Sequence, residues 1–547
     1  SFKNNLLFGT GLINNKFTVD GRISQITSDG FIDRAKSNLK SFYISGTYWM
    51  NDASLRLNVF SGKEKTYQAW YGIPEEILAN NRTYNPAGME KADAPYENQT
   101  DNYLQTHYQL FYNKSINKNW KWNLASFLTR GKGYYEEYKA GVDYNEYNID
   151  ITNKVDIPNK INLPADLVRR RWLDNQFFGQ IGAVSFQDTI NDITIGGGWS
   201  KYEGLHYGTL PYLDLYFVPS NYRYYDNDAL KKEFNTYIKW ERKLTRRFKS
   251  FIDLQYRKVN HQMNGFTKNT DLNIDRKFNF INPKLGFTYQ LKNVFYYSSI
   301  AIANKEPNRD DFEASTTEQP KSEQLIDWES GFEIKRNKFS FNANAYYMKY
   351  KDQLVLTGKI NDVGAYTRTN VPNSYRTGIE LQLKYALNKK YSTSYSVTLS
   401  QNKIKEFTEY IDDYDQYTQV AIKHQNTDIA LSPSIITNRT FNWKPTDQLS
   451  FYWTTKYIAS QFLDNTQNNQ RKINDYFVND INAHWTIINK TKYTVLLQFY
   501  INNILDVQYA PNGYTYSYIY DKSTITSNNY YPMAGRNYWM SVKIDIK

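Results

Sequence analysis

The sequence predicts an all-β fold: a transmembrane antiparallel β-barrel of the 22-stranded type, with about 21 strands present in the chain. Three observations point there. Side chains alternate with period two along most of the chain. Short polar turns alternate with much longer segments. Aromatic residues make up 17% of 547 residues, yet the mean hydropathy is −0.72 and no apolar run of about 18 residues occurs. A helical membrane protein is thereby excluded. The absence of Cys also excludes a disulfide framework and a thiolate metal site.

Period two puts successive side chains on opposite faces of a strand. Leu55, Leu57 and Val59 alternate with Arg56, Asn58 and Phe60. Leu104, Thr106, Tyr108 and Leu110 alternate with Gln105, His107 and Gln109, and Trp120, Trp122, Leu124 and Leu128 share one face. The pattern recurs over Phe234–Arg242, Phe248–Tyr256, Phe339–Lys349, Tyr375–Tyr385, Tyr391–Gln401, Leu449–Tyr457, Tyr493–Ile501 and Tyr538–Ile546.

Ten short turns join these strands in pairs. They lie at Asn14–Asn15, Asn51–Ala53, Asn113–Asn119, Gln187–Asp192, Lys243–Arg247, Lys292–Asn293, Lys335–Lys338, Leu387–Lys390, Lys444–Asp447 and Asn489–Lys492. The segments between pairs run to roughly 10 to 40 residues and are expected to be loops. Outer-membrane barrels sort their connections in this way, with short turns inside and long loops outside. Ten pairs plus Arg536–Ile546 make 21 strands. Single-chain barrels have even numbers, so one further strand, together with a plug domain, is expected upstream of Ser1. Residues 1–547 then read as one transmembrane barrel domain. Tandem sandwiches or a propeller are the alternative, but no repeat of about 40 residues is visible.

Tyr and Trp have an apolar body and a polar tip, which suits a membrane interface. They cluster at strand ends: Tyr48–Trp49, Trp120, Trp122, Trp240, Tyr296–Tyr297, Tyr346–Tyr347, Trp443, Trp453, Trp485 and Tyr538–Trp539. The net charge of +12 is spread over separate turns, so a nucleic-acid partner is not expected. The five His are scattered without metal-site spacing, and neither G-x-S-x-G nor a P-loop occurs. No enzymatic, metal or cofactor site is expected. Gly196–Gly198 reads as a thin wall or bulge, and Asp412–Asp415 as a solvated acidic loop.

Several segments resemble the barrel of TonB-dependent outer-membrane transporters, particularly those of Bacteroidota. They are Thr27–Arg34, Gly62–Trp70, Lys305–Phe312, Asp362–Gly364 with Asn370–Glu380, Ile501–Asp506 and Ala534–Asn537. The chain ends on Lys547, where the family commonly has an aromatic residue. The resemblance implies energised import of a bulky, scarce solute. A ferric siderophore or other iron chelate is expected, with cobalamin or a passive porin as alternatives. It also implies as partners the TonB-ExbB-ExbD complex, acting through the plug, outer-membrane lipids and lipopolysaccharide, and a surface lipoprotein.

Ligand contacts are expected on the long segments. Tyr and Trp give contact area at low entropic cost, and Arg grips carboxylates and catecholates in two-pronged fashion. The candidates are Tyr67, Trp70, Arg82 and Tyr84; Tyr135 and Tyr138; Arg169 and Arg171; His206 and Tyr207; and Tyr514 and Tyr516. Alternation puts Arg169 and Arg171 on one face and Arg170 on the other.

Overall fold

A computed structural model describes residues 1–149, 165–213, 218–267, 269–313, 319–361 and 364–546. Asp362, Val363 and Lys547, which entered the sequence reading, lie outside the described residues. In chain order the strands are β1 (Phe2–Gly9), β2 (Phe17–Ser28), β3 (Ser37–Trp49), β4 (Ala53–Tyr67), β5 (Ile73–Pro74), β6 (Thr100–Ser115), β7 (Trp120–Val142), β8 (Ala165–Gln187), β9 (Asn191–Leu213), β10 (Tyr222–Lys243), β11 (Phe248–Phe266), β12 (Asn269–Leu291), β13 (Val294–Lys305) and β14 (Glu323–Arg336). There follow β15 (Phe339–Ile360), β16 (Tyr366–Ala386), β17 (Tyr391–Asp413), β18 (Thr418–Asp428), β19 (Ile435–Trp443), β20 (Leu449–Ile458), β21 (Gln461–Phe462), β22 (Lys472–Ile473), β23 (Tyr476–Asn489), β24 (Tyr493–Asn502), β25 (Asn512–Tyr520), β26 (Ser523–Tyr531) and β27 (Asn537–Ile546).

The wall is one antiparallel sheet of about 21 staves, as the alternation predicts. Each stave pairs with the next along the chain, through β4–β6, β17–β19, β20–β23 and β24–β27 where short elements intervene. All ten predicted turns are the tight connections on one rim. β1 and β27 both run from the loop rim to the turn rim, and no pairing joins them among the described residues.

The two faces separate by chemistry. Phe42, Ile44, Leu57, Leu110, Ile195, Ile238, Ile252, Leu285 and Ile379 stand exposed on the outward face. Trp120, Trp122, Trp240, Trp443, Trp453 and Trp485 also point outward, within a few residues of the turns, as an interfacial girdle requires. The Tyr doublets split: Tyr296 and Tyr347 are exposed, whereas the Tyr297 hydroxyl turns inward and donates to Asn344 Oδ1 at 2.9 Å. Inward positions carry Arg56, Asn58, His107 and Gln109, with the Arg56 Nε donating to Ser45 and Asn58 at 2.9 Å each. Gly196–Gly198 lies in β9 with no register shift beside it, so it is a thin wall rather than a bulge.

One expectation is corrected. Much of the presumed loop is strand: Tyr134–Tyr138 belongs to β7, His206–Tyr207 to β9, Tyr222–Tyr225 to β10 and Tyr514–Tyr520 to β25. β7, β8, β9, β12 and β17 have 23 residues each, where about 9–11 cross a bilayer. Above the membrane neither face meets lipid, so the apolar half of the alternation disappears from the sequence while backbone pairing continues.

The buried apolar clusters form where loops fold back on these extensions. One joins Val259, Met263, Phe266, Ile274, Phe278 and Phe280 on the wall to Phe312 of the short helix α1 (Arg309–Glu313). Another packs Tyr147, Ile149, Leu167, Leu210 and Tyr224.

Candidate ligand-binding mouth

The segments that anchor the mouth are those that carried the family resemblance. In the first, the Asp33 N–H donates to Thr83 O at 2.7 Å, and Arg34 donates to the carbonyls of Asn85 and Ala87. In the third, Glu306 accepts from Arg257 and Lys231 at 2.6–2.8 Å. Burial would raise the Glu306 pKa, but these two cations outweigh it and hold the carboxyl down at about 2. In the same segment Asp311 is held by Arg368, and Phe312 is fully buried. The last two segments meet: Asp506 Oδ1 accepts the Arg536 N–H at 2.7 Å, while Asn503 closes its own turn onto Val507.

Many predicted ligand contacts are occupied in this scaffolding. Tyr67 is buried, and its hydroxyl donates to Ala87 O at 3.2 Å and Tyr96 O at 2.7 Å. The Trp70 ring stands edge-on to Tyr135, and its carbonyl accepts from the Tyr531 hydroxyl at 2.8 Å. Arg82 Nη2 donates to Tyr509 O at 3.0 Å, across 427 residues of sequence. Tyr84 is half-buried in the same loop. Tyr138 donates to Asp166, and Arg169 is paired with Glu137 at 2.8 Å and with the Tyr147 hydroxyl at 3.2 Å. Tyr514 is buried against Tyr531, whereas Tyr516 is 43% exposed beside Tyr518.

The three arginines alternate as expected. Arg170 reaches Glu136 at 2.6 Å and lies over the Tyr134 ring, while Arg171 donates to the Tyr135 hydroxyl at 2.8 Å on the opposite face. His206 and Tyr207 part in the same way. Tyr207 joins an outward ladder with Trp172 and Arg223, at 5.7 Å and 3.9 Å.

What the inward face brings together is a cationic and aromatic patch. Arg171, Tyr135 and His206 belong to it, with Tyr103, Asn175, Tyr202 and Arg309 added by the structure. Asn175 Nδ2 donates to the Tyr103 hydroxyl at 3.1 Å. Arg309 sits 4.3 Å over the Phe266 ring and donates through Nη2 to Gly265 O at 3.0 Å. Its Nη1 is buried with no hydrogen-bond partner among the described residues. Burial pulls the Arg309 pKa down, opposed by Glu313 and Asp310. The Arg309 charge also acts on His206, Tyr202 and Tyr225. Burial first, and Arg309 second, push the His206 pKa down to about 4. His206 stands above the bilayer, because the Lys201–Glu203 ion pair lies on the outward face below it. Arg309 lies within the quoted Lys305–Phe312 segment, but nothing in its spacing shows that it turns into the lumen.

Asp413 and Asp415 serve as turn acceptors. Asp415 takes the N–H groups of Asp521 and Lys522 at 2.9 and 2.7 Å, which fixes the β25–β26 hairpin.

Solved structures share this fold. The ferric-catecholate import receptor Fiu from E. coli K12, in its closed form, is 14% identical, with a TM-score of 0.66 over 100% of this chain and 81% of that one. The ferric citrate transporter FecA is 14% identical at TM-score 0.71, over 99% and 75%. The siderophore receptor PiuA from Acinetobacter baumannii is 14% identical at 0.69, over 99% and 79%. No curated protein matches by sequence. The family model described as "TonB dependent receptor-like, beta-barrel" matches residues 17–504, and with staves, turns and girdle all in place the chain belongs to that family.

Proposed function

We propose that this barrel imports an anionic iron chelate of the siderophore class. Family membership makes it an outer-membrane transport protein and not an enzyme. The observation that carries the ligand class is the inward patch of Arg171, Arg309, His206 and Tyr residues. It offers positive charge and flat rings to a bulky, negatively charged, aromatic-rich solute. Fiu, FecA and PiuA, named for ferric catecholates, ferric citrate and siderophores, support the same class.

In this reading a twenty-second stave lies upstream of Ser1 and fits antiparallel between β1 and β27. A plug precedes it, and the TonB-ExbB-ExbD complex acts on that plug. The receptor is of Bacteroidota type, and a surface lipoprotein joins it. Uptake of radiolabelled iron tests the function. Deletion of the gene should abolish energy-dependent uptake of ferric catecholate or citrate chelates, and Arg309→Gln should lower it roughly tenfold, one charge-assisted contact being worth about 1.5–3 kcal/mol. Undiminished iron uptake together with a growth defect on limiting cobalamin would overturn it.

A further inference from the structure

The turn rim is not evenly charged. Four successive turns, β10–β11, β12–β13, β14–β15 and β16–β17, hold nine basic residues and no acid. Lys243, Arg246 and Arg247 stand in the first and Lys292 in the second. Lys335, Arg336 and Lys338 follow in the third, and Lys389 and Lys390 in the fourth. All nine are exposed. Lys335 is paired with Glu333 at 2.7 Å, and the other eight form no ion pair among the described residues. The remaining six turns hold five bases against four acids, so the excess is confined to one arc. Neighbouring turns lie two staves apart, roughly 12 Å along the rim, and the arc spans about 40 Å.

A cavity of about 470 Å³ opens at one end of this arc. Lys384, Ser394 and Thr440 cross its wall in one row, since Lys384 pairs with Ser394 and Ser394 with Thr440. The next residues on two of these strands, Tyr385 and Tyr395, are exposed on the outward face, so the row faces the lumen. Arg336 and Lys338 line the cavity from the turn, and Lys338 donates to Leu387 O at 3.4 Å, which ties the third turn to the fourth. Asn442 adds an Oδ1 that is buried with no hydrogen-bond partner among the described residues. No carboxylate stands among the described lining residues.

These features choose among occupants. The inner leaflet surrounds the barrel on all sides and does not reach a lumen-facing row, so a lipid headgroup explains neither the one-sided arc nor the cavity. A carboxylate suits the cations and hydroxyls, and an adjoining amide N–H suits Asn442 Oδ1. Short turns are periplasmic in outer-membrane barrels, so the partner lies in the periplasm. We propose that this arc docks the carboxylate-bearing peptides of the cell-wall polymer. One peptide end enters the cavity at Lys338, Lys384 and Asn442, and further peptides along the polymer, which lies parallel to the membrane, meet the other turns. The inference rests on the outer-membrane orientation and not on which solute is imported.

The test uses the full-length receptor in detergent micelles. Co-sedimentation with purified, insoluble cell-wall sacculi measures binding, against sacculi whose carboxyls have been amidated. Wild-type protein should bind native sacculi at least tenfold better than amidated ones, and binding should fall as salt is raised. Lys338→Gln with Lys384→Gln should weaken it at least tenfold. Lys490→Gln with Lys492→Gln, which removes as much charge outside the arc, should bind as wild type does. Equal retention on native and amidated sacculi would overturn the proposal. So would equal loss in the two double variants, or complete displacement by excess anionic phospholipid, which would assign the arc to the leaflet.

Discussion

Phe312 shows how one side chain can hold a loop. It is fully buried among seven apolar wall residues, Ala229 included, and its segment is otherwise fixed by ionic contacts at Glu306 and Asp311. Replacing a buried Phe by Ala typically costs about 3–5 kcal/mol. Phe312→Ala should therefore release the segment after β13, and limited proteolysis should cut there while the staves stay intact. His206 gives a pH dependence. Its folded pKa is about 4 against an ordinary value near 6.5, so the unfolded chain takes up the proton first as pH falls. That contribution is constant above about pH 6.5 and is lost progressively from there down to about pH 4. Thermal unfolding of wild-type protein should show the loss across this window, and His206→Gln should flatten it. Residue roles of this kind were the least legible part of the sequence. Tyr67, Arg82 and Arg169 have the composition of ligand contacts, but their partners lie up to 427 residues away, and only folding reveals that they are taken.

At the scale of elements, the β25–β26 hairpin depends on contacts to distant parts of the mouth. Its turn is held by Asp415, its β26 strand pairs with β5, and Asn528 donates to Glu75 at 2.8 Å. Hydrogen bonds to a carboxylate are worth about 1.5–3 kcal/mol each. Asp415→Ala should speed hydrogen exchange at Asp521 and Lys522 at least tenfold without altering exchange in β24 or β27. The loop after β4 has a comparable weak point at Gly88, where φ is +80° and an added Cβ would lie 2.9 Å from Tyr96 O. Gly88→Ala should detach that loop at a cost above about 1 kcal/mol, and limited proteolysis should then cut between β4 and β6 while the staves stay intact. Strands and turns were legible wherever a stave faces lipid, because half of its side chains must then be apolar. The upper halves of β7 to β12 were not. There both faces meet water or other loops, and a paired Tyr–Asn strand has the composition of a loop.

At the scale of the whole molecule, the staves form a sheet whose first and last members run the same way and do not pair with each other among the described residues. In a bilayer each unpaired backbone group costs several kcal/mol. In the proposed reading, a protein that includes the upstream stave should resist dodecyl sulfate at room temperature and migrate as a compact band. Residues 1–547 expressed alone should unfold under the same conditions, and equal resistance of the two would argue against a missing stave.

The length of the staves has a further consequence. A strand of 23 residues, tilted by about 40° and rising about 3.3 Å per residue, climbs roughly 58 Å along the barrel axis. The apolar band takes about 25 Å of that. The remainder is a rigid chimney about 30 Å tall. Its opening stands clear of the headgroups, so a dissolved chelate meets the Arg and Tyr lining of the flue before it meets the anionic carpet of the membrane, which would otherwise repel it.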